Sequence, residues 1–140
     1  MTDFTGGDIS SEVRRPILRF GEQSDLGQLD VHDVGADLLA TVKYDIDSSN
    51  RLFWMKFNSA RAYRFHAEAH CTLYHITDAY EKLIEIDGSR WQTEVKAASK
   101  TSMWTLRHFM FYAESHGCLE VLAESVEHGG IPPLPPDPDL

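Results

Sequence analysis

Met103-Trp104-Thr105-Leu106-Arg107-His108-Phe109-Met110-Phe111-Tyr112-Ala113, then Glu114-Ser115-His116-Gly117, then Cys118-Leu119-Glu120-Val121-Leu122-Ala123-Glu124-Ser125 reads as strand, turn and strand. Two apolar and aromatic runs split by a short polar, glycine-bearing cluster are the sequence form of a β-hairpin. With His116-Gly117 as a two-residue turn, glycine supplying φ > 0, Tyr112 pairs with Val121 and Met110 with Ala123. That register sets Trp104, Leu106, His108, Met110 and Tyr112 on one face with Leu119, Val121 and Ala123. The opposite face mixes Arg107, Phe109 and Phe111 with Glu120, Leu122 and Glu124, which predicts a face partly covered or bearing a partner.

Upstream lie further strands. Leu38 to Ile46 alternates with its even positions apolar, Asp47-Ser48-Ser49-Asn50 is a turn cluster, and Leu52 to Phe57 returns, so a tight hairpin is expected. Tyr63-Arg64-Phe65-His66-Ala67-Glu68-Ala69-His70-Cys71 alternates strictly. A strand there carries Arg64, His66, Glu68 and His70 on one face and Phe65, Ala67, Ala69 and Cys71 on the other. Short connections predict a meander. Ile17-Leu18-Arg19-Phe20 is a short strand, and Pro16 places it at an edge. Glycines and aspartates between Glu22 and Gly35 read as loop or irregular turn. Tyr80 to Asp87 fits neither a helical nor a strand period cleanly. Ser89 followed by Gln92 has capping-box spacing, so a helix starts at Arg90 and runs over about 89–100, with Trp91, Val95 and Ala98 on one stripe.

The expected architecture is therefore α+β: an antiparallel meander sheet of five to six strands with one packed helix. The chain has 140 residues, ample for one core without staples, and its 15 aromatics (7 Phe, 5 Tyr, 3 Trp) argue for a packed interior. Residues 1–10, rich in Gly, Thr and Asp, read as a frayed start, 11–128 as one domain, and 129–140, with five prolines after Ile131, as an extended or disordered tail.

Twenty-two acidic against thirteen basic side chains give a net charge of −9, which removes the electrostatic attraction that dominates nucleic-acid binding. No apolar run approaches the ~20 residues of a membrane helix, and the N-terminus shows no secretory leader. With only Cys71 and Cys118, two reduced thiols and a cytoplasmic address are expected.

Chemistry-bearing residues are few. His66, Glu68 and His70, with His108, are candidates for a ligand or metal, because imidazole and carboxylate suit zinc and similar ions. Along a regular strand, however, His66 and His70 stand about 13 Å apart, so a further ligand such as His75, His108 or His116 would have to come from elsewhere. A His beside a carboxylate also suits general acid–base work. There is no nucleophile elbow, no phosphate-binding glycine loop and no cofactor motif, so no catalytic residue and no cofactor are assigned. If Phe109 and Phe111 stay exposed, they form an apolar patch rimmed by Glu120 and Glu124, the layout of a protein interface. The leading expectation is a small acidic protein-binding or inhibitory module meeting a basic partner through that face, for which a toxin-neutralising immunity protein is one instance. The alternative is a small-molecule-binding or hydrolytic domain with a His/Glu-lined pocket. Homodimerisation through a sheet edge is compatible with either.

Overall fold

The computed structural model describes residues 12–19, 26–46, 49–98 and 105–130. Trp104, the first ten residues and the prolines of the tail lie outside the described residues. Among the described residues nine strands run β1 (Val13–Arg19), β2 (Leu26–Val34), β3 (Asp37–Ile46), β4 (Ser49–Asn58), β5 (Ala62–Ala67), β6 (Lys82–Asp87), β7 (Arg107–Ala113), β8 (Gly117–Ala123) and β9 (Ser125–Gly130). Two α-helices among the described residues, α1 (Leu73–Ile76) and α2 (Arg90–Ala98), and a 3-10 turn (Glu68–His70) join them in an α+β fold. The strands form a five-stranded sheet in the order β1-β6-β7-β8-β5 and a four-stranded sheet in the order β2-β3-β4-β9.

The alternating pattern explains the two layers. Leu38, Ala40 and Val42 of β3 and Phe53, Met55 and Phe57 of β4 turn one face of the four-stranded sheet inward. They meet Leu83, Phe109, Phe111, Ala113, Leu119, Val121 and Ala123 of the other sheet, and the Phe57 and Phe109 rings lie 5.8 Å apart. The far face of the five-stranded sheet has its own core of Ile84, Ile86, Met110, Tyr112 and Cys118 under Tyr74 and Ala79. On that same face sit His108 and Glu120, both fully buried.

Several expectations hold. The β3–β4 hairpin pairs Ala40 with Met55 and Ile46 with Ser49. Helix α2 starts at Arg90, with Ser89 Oγ accepting the Gln92 N–H at 3.0 Å. Pro16 lies in an edge strand, where the register slips between Pro16 and Leu18.

Others are corrected. Residues 26–34, expected as loop, form a nine-residue strand paired to β3. Being an edge strand packed on one side, β2 tolerates Gly27, Asp30 and Asp33 while Leu29 and Val31 pack against the core. Strand β5 does not follow β4 in a meander. It crosses to the other sheet and pairs with β8, while β9 takes the place beside β4.

The β7–β8 hairpin turns through Glu114, Ser115 and His116, with Ser115 at φ 68° in the left-handed region, so Ala113 pairs with Gly117 and Met110 with Glu120. This differs by three positions from the expected register, and an odd shift exchanges the faces. Phe109 and Phe111 therefore lie in the inter-sheet core instead of at the surface, and Glu120 lies beneath α1 and α2 rather than on a rim. Of the four residues expected to meet a partner, Glu124 alone is exposed. Gly117 has φ 141°, and a Cβ there would strike the His66 carbonyl and the Phe65 ring, so β8 and β5 close at this point only over glycine.

Candidate functional site

Strand β5 is flanked by two unusual environments. On its α-helical side the register sets Arg64 opposite Glu120 and His66 opposite Cys118. Glu120 is completely buried and accepts from three side chains: His108 Nε2 at 2.8 Å, His66 Nε2 at 2.9 Å, and Arg64 through Nε at 2.9 Å and Nη2 at 3.3 Å. Trp91 of α2 closes the cluster, with the Arg64 guanidinium 4.0 Å above its ring and the His108 ring edge-on at 5.2 Å. The His75 ring of α1 lies tilted by 38° against that of His66 with centroids 4.1 Å apart, and its Nε2 lies 3.9 Å from Glu120.

An ionised carboxylate offers only lone pairs, so each imidazole nitrogen touching Glu120 carries a proton. Burial alone would raise the Glu120 pKa. The hydrogen bonds from His108 and Arg64 outweigh that cost and hold it at about 2. Burial likewise pushes His108 below the ordinary imidazole value despite Glu120, and its Nδ1 has no hydrogen-bond partner among the described residues. A neutral ring leaves only an unused lone pair there, whereas a protonated ring would bury an unpaired donor. His75 is pushed down too, by burial and by the neighbouring His66.

His66, His75 and Glu120 each bring a ligand atom within 4.8 Å of the others, a set that suggests a divalent metal. The hydrogen bonding does not fit one. Thr72 N–H donates to His75 Nδ1 at 3.0 Å, so in the neutral ring the proton sits on Nε2, the nitrogen that would have to ligate. Arg64 also occupies the same carboxylate oxygen with a positive charge.

No protein-family model, curated protein or solved structure matches this chain.

The sequence candidates separate. His66 and His108 come together on Glu120, but β5 stops at Ala67 and a 3-10 turn carries Glu68 and His70 away. Glu68 is engaged elsewhere, accepting from the Tyr112 hydroxyl and the Ser115 N–H, both at 2.9 Å, while His70 is exposed. Glu120 was missed as the centre of the cluster. The signal was there: pairing Phe109 with Val121 and Phe111 with Leu119 makes one face apolar beyond Arg107, and that register sends Glu120 to the same side as His108. Chemically the arrangement can orient His66, whose Nε2–H is fixed on Glu120 and whose Nδ1 has no hydrogen-bond partner among the described residues.

The other side of β5 is apolar. Tyr63 and Phe65, 48% and 45% exposed, border a cleft of about 260 Å³ against Leu29 and Val31 of β2, floored by Leu119. Glu68 N–H donates to the His116 carbonyl at 3.2 Å, continuing the ladder in which Arg64 pairs with Glu120 and His66 with Cys118. In an antiparallel ladder the hydrogen-bonded pairs alternate, so the backbone N–H and C=O groups of Tyr63, Phe65 and Ala67 point away from β8 to the open edge. Exposed side chains and outward backbone thus fall on the same three residues. Among the described residues no helix is long and apolar enough to cross a membrane.

Proposed function

We propose that this chain is a small protein-binding module and that β5 is its docking strand, receiving an extended protein segment as the sixth strand of the five-stranded sheet. The observation that carries the reading is the unprotected edge of β5. The other three sheet edges bear the devices that discourage strand addition: Pro16 and a register slip in β1, a slip at Leu26/Gln28 with Asp30 and Asp33 in β2, and Glu127 with Gly129-Gly130 in β9. Strand β5 has a regular register and neither proline, lysine nor acid between Ala62 and Ala67. Backbone hydrogen bonds would supply affinity, and the cleft beside Tyr63 and Phe65 would select apolar side chains at alternate positions. With the acid-rimmed aromatic face buried, the net charge of −9 bears on encounter with a partner rather than on the contact itself. An inhibitory role is one use of such a strand, and the two free thiols, Cys71 and Cys118, suit a cytoplasmic address.

The test is an amide NMR titration of the full chain with a seven-residue peptide alternating threonine with valine and phenylalanine. Shifts should concentrate on Tyr63, Phe65 and Ala67, and Phe65→Lys should remove them without altering the far-UV spectrum. Shifts confined to the β2 or β9 edge, or none at millimolar peptide in a chain that is monomeric at the concentration used, would refute it.

A further inference from the structure

Resting on the reading of β5 as a docking strand, we infer that its partner strand is β5 of a second copy of this chain, paired antiparallel about a two-fold axis through Phe65. The edge is self-complementary in that register. Phe65 faces Phe65 of the other copy and Tyr63 faces Ala67, so the cleft side meets ring on ring and large on small. These are the residues whose backbone groups point outward, and three such pairs exchange about six hydrogen bonds. On the helical side Arg64 of one copy stands opposite His66 of the other, a pairing with close side chains.

The donors and acceptors there match. Arg64 spends Nε and Nη2 on Glu120 and leaves Nη1 with no hydrogen-bond partner among the described residues, while His66 Nδ1 presents a lone pair. Each arginine can therefore donate to the opposite imidazole, twice by symmetry. A register centred on Arg64 instead would set two guanidinium groups face to face, which selects the Phe65-centred one. Charge agrees as well. In a chain of net charge −9, β5 carries one arginine and no acid, so self-association meets least repulsion at this strand.

A six-residue edge buries less than the roughly 1,600 Å² of standard interfaces, so the dimer should dissociate in the micromolar range. Sedimentation of the full chain from about 1 μM to 1 mM should show monomer passing to dimer, and Phe65→Lys or Tyr63→Lys should weaken association at least tenfold. Cysteine cross-linking tests the register. Hydrogen-bonded partners have Cα atoms about 5.5 Å apart, within disulfide reach. Under mild oxidation with oxidised glutathione, Phe65→Cys should link to itself, Tyr63→Cys should not, and a mixture of Tyr63→Cys with Ala67→Cys should, against wild-type protein as background.

A chain that stays monomeric throughout while the alternating peptide shifts the β5 amides would overturn the second copy and leave the docking strand standing. A dimer unaffected by both lysine variants would overturn the inference by placing the contact elsewhere. Monomer together with no peptide response would overturn both readings.

Discussion

Replacing Glu120 with leucine should cost about 3–5 kcal/mol of folding stability, because it removes the single acceptor that three buried or half-buried donors share. The magnitude can be worked two ways. Lowering the carboxyl pKa from 4.5 to about 2 corresponds to about 3 kcal/mol of native-state preference for the ionised form at neutral pH. Alternatively, consider what the loss leaves behind. Arg64 and His66 are about one-third and one-quarter exposed and can turn to water, but His108 is fully buried, and its Nε2–H would join its Nδ1 in having no partner among the described residues. A stranded buried donor costs about 1–3 kcal/mol, to which the lost charge-assisted bonds add. The expected fall in melting temperature is about 10 °C or more. The assay is urea unfolding followed by circular dichroism at pH 7.5 for Glu120→Leu, His108→Leu and the double variant. Because the leucine at 108 removes the stranded donor, the double variant should recover about 2 kcal/mol relative to the sum of the singles. A Glu120→Leu protein within about 1 kcal/mol of wild type, or strictly additive singles, would refute the view that this cluster holds the second core together.

Acidification should destabilise the fold in two stages. His75 and His108 are held below the ordinary value of 6.5, so their contribution is complete above that pH and is lost as pH falls, when the unfolded chain takes up protons first. Glu120 adds a further loss between 4.5 and about 2, and a urea midpoint that rises between pH 6.5 and 5 would contradict this. Ser89→Ala should cost about 1 kcal/mol by uncapping α2, measured as a shift in urea midpoint with unchanged slope. Calorimetric titration with Zn²⁺ at pH 7 should reveal no stoichiometric site, and a chelator should leave the melting temperature unchanged. Uptake abolished by His75→Ala would show that the Thr72 hydrogen bond does not hold the ring in its non-ligating form.

How legible the molecule was depended on whether local pattern or a distant partner decided each element. The β3–β4 hairpin and the start of α2 were readable because their determinants are adjacent: alternation around Asp47–Asn50, and Ser89 three residues before Gln92. Strand β2 was not, since a run holding Gly27, Asp30 and Asp33 becomes a strand only through pairing with β3. The site was half legible. Strand alternation correctly put Arg64 and His66 on one face, but nothing local announces that β5 ends at Ala67, which removes Glu68 and His70. The larger miss came from a turn one residue longer than assumed. Ser115 in the left-handed region moved the register by an odd number and exchanged Glu120 with Phe109 and Phe111 between surface and core.

The order in which strands join the two sheets also sets when the chain can fold. Strand β1 pairs with β6, so Val13 must wait for Asp87. Strand β9, the last described, returns to β4, so the four-stranded sheet is closed only when Phe53 to Asn58 receive Ser125 to Gly130. Neither sheet can be completed from a contiguous stretch, which makes loop closure the main barrier and places this chain among slow folders of high contact order. During synthesis the edge of β4 stays open until the very end of the described chain has left the ribosome. A protein interrupted after Ala123 would have most of its inter-sheet core but no means of covering that edge, and its fate would be aggregation rather than partial function.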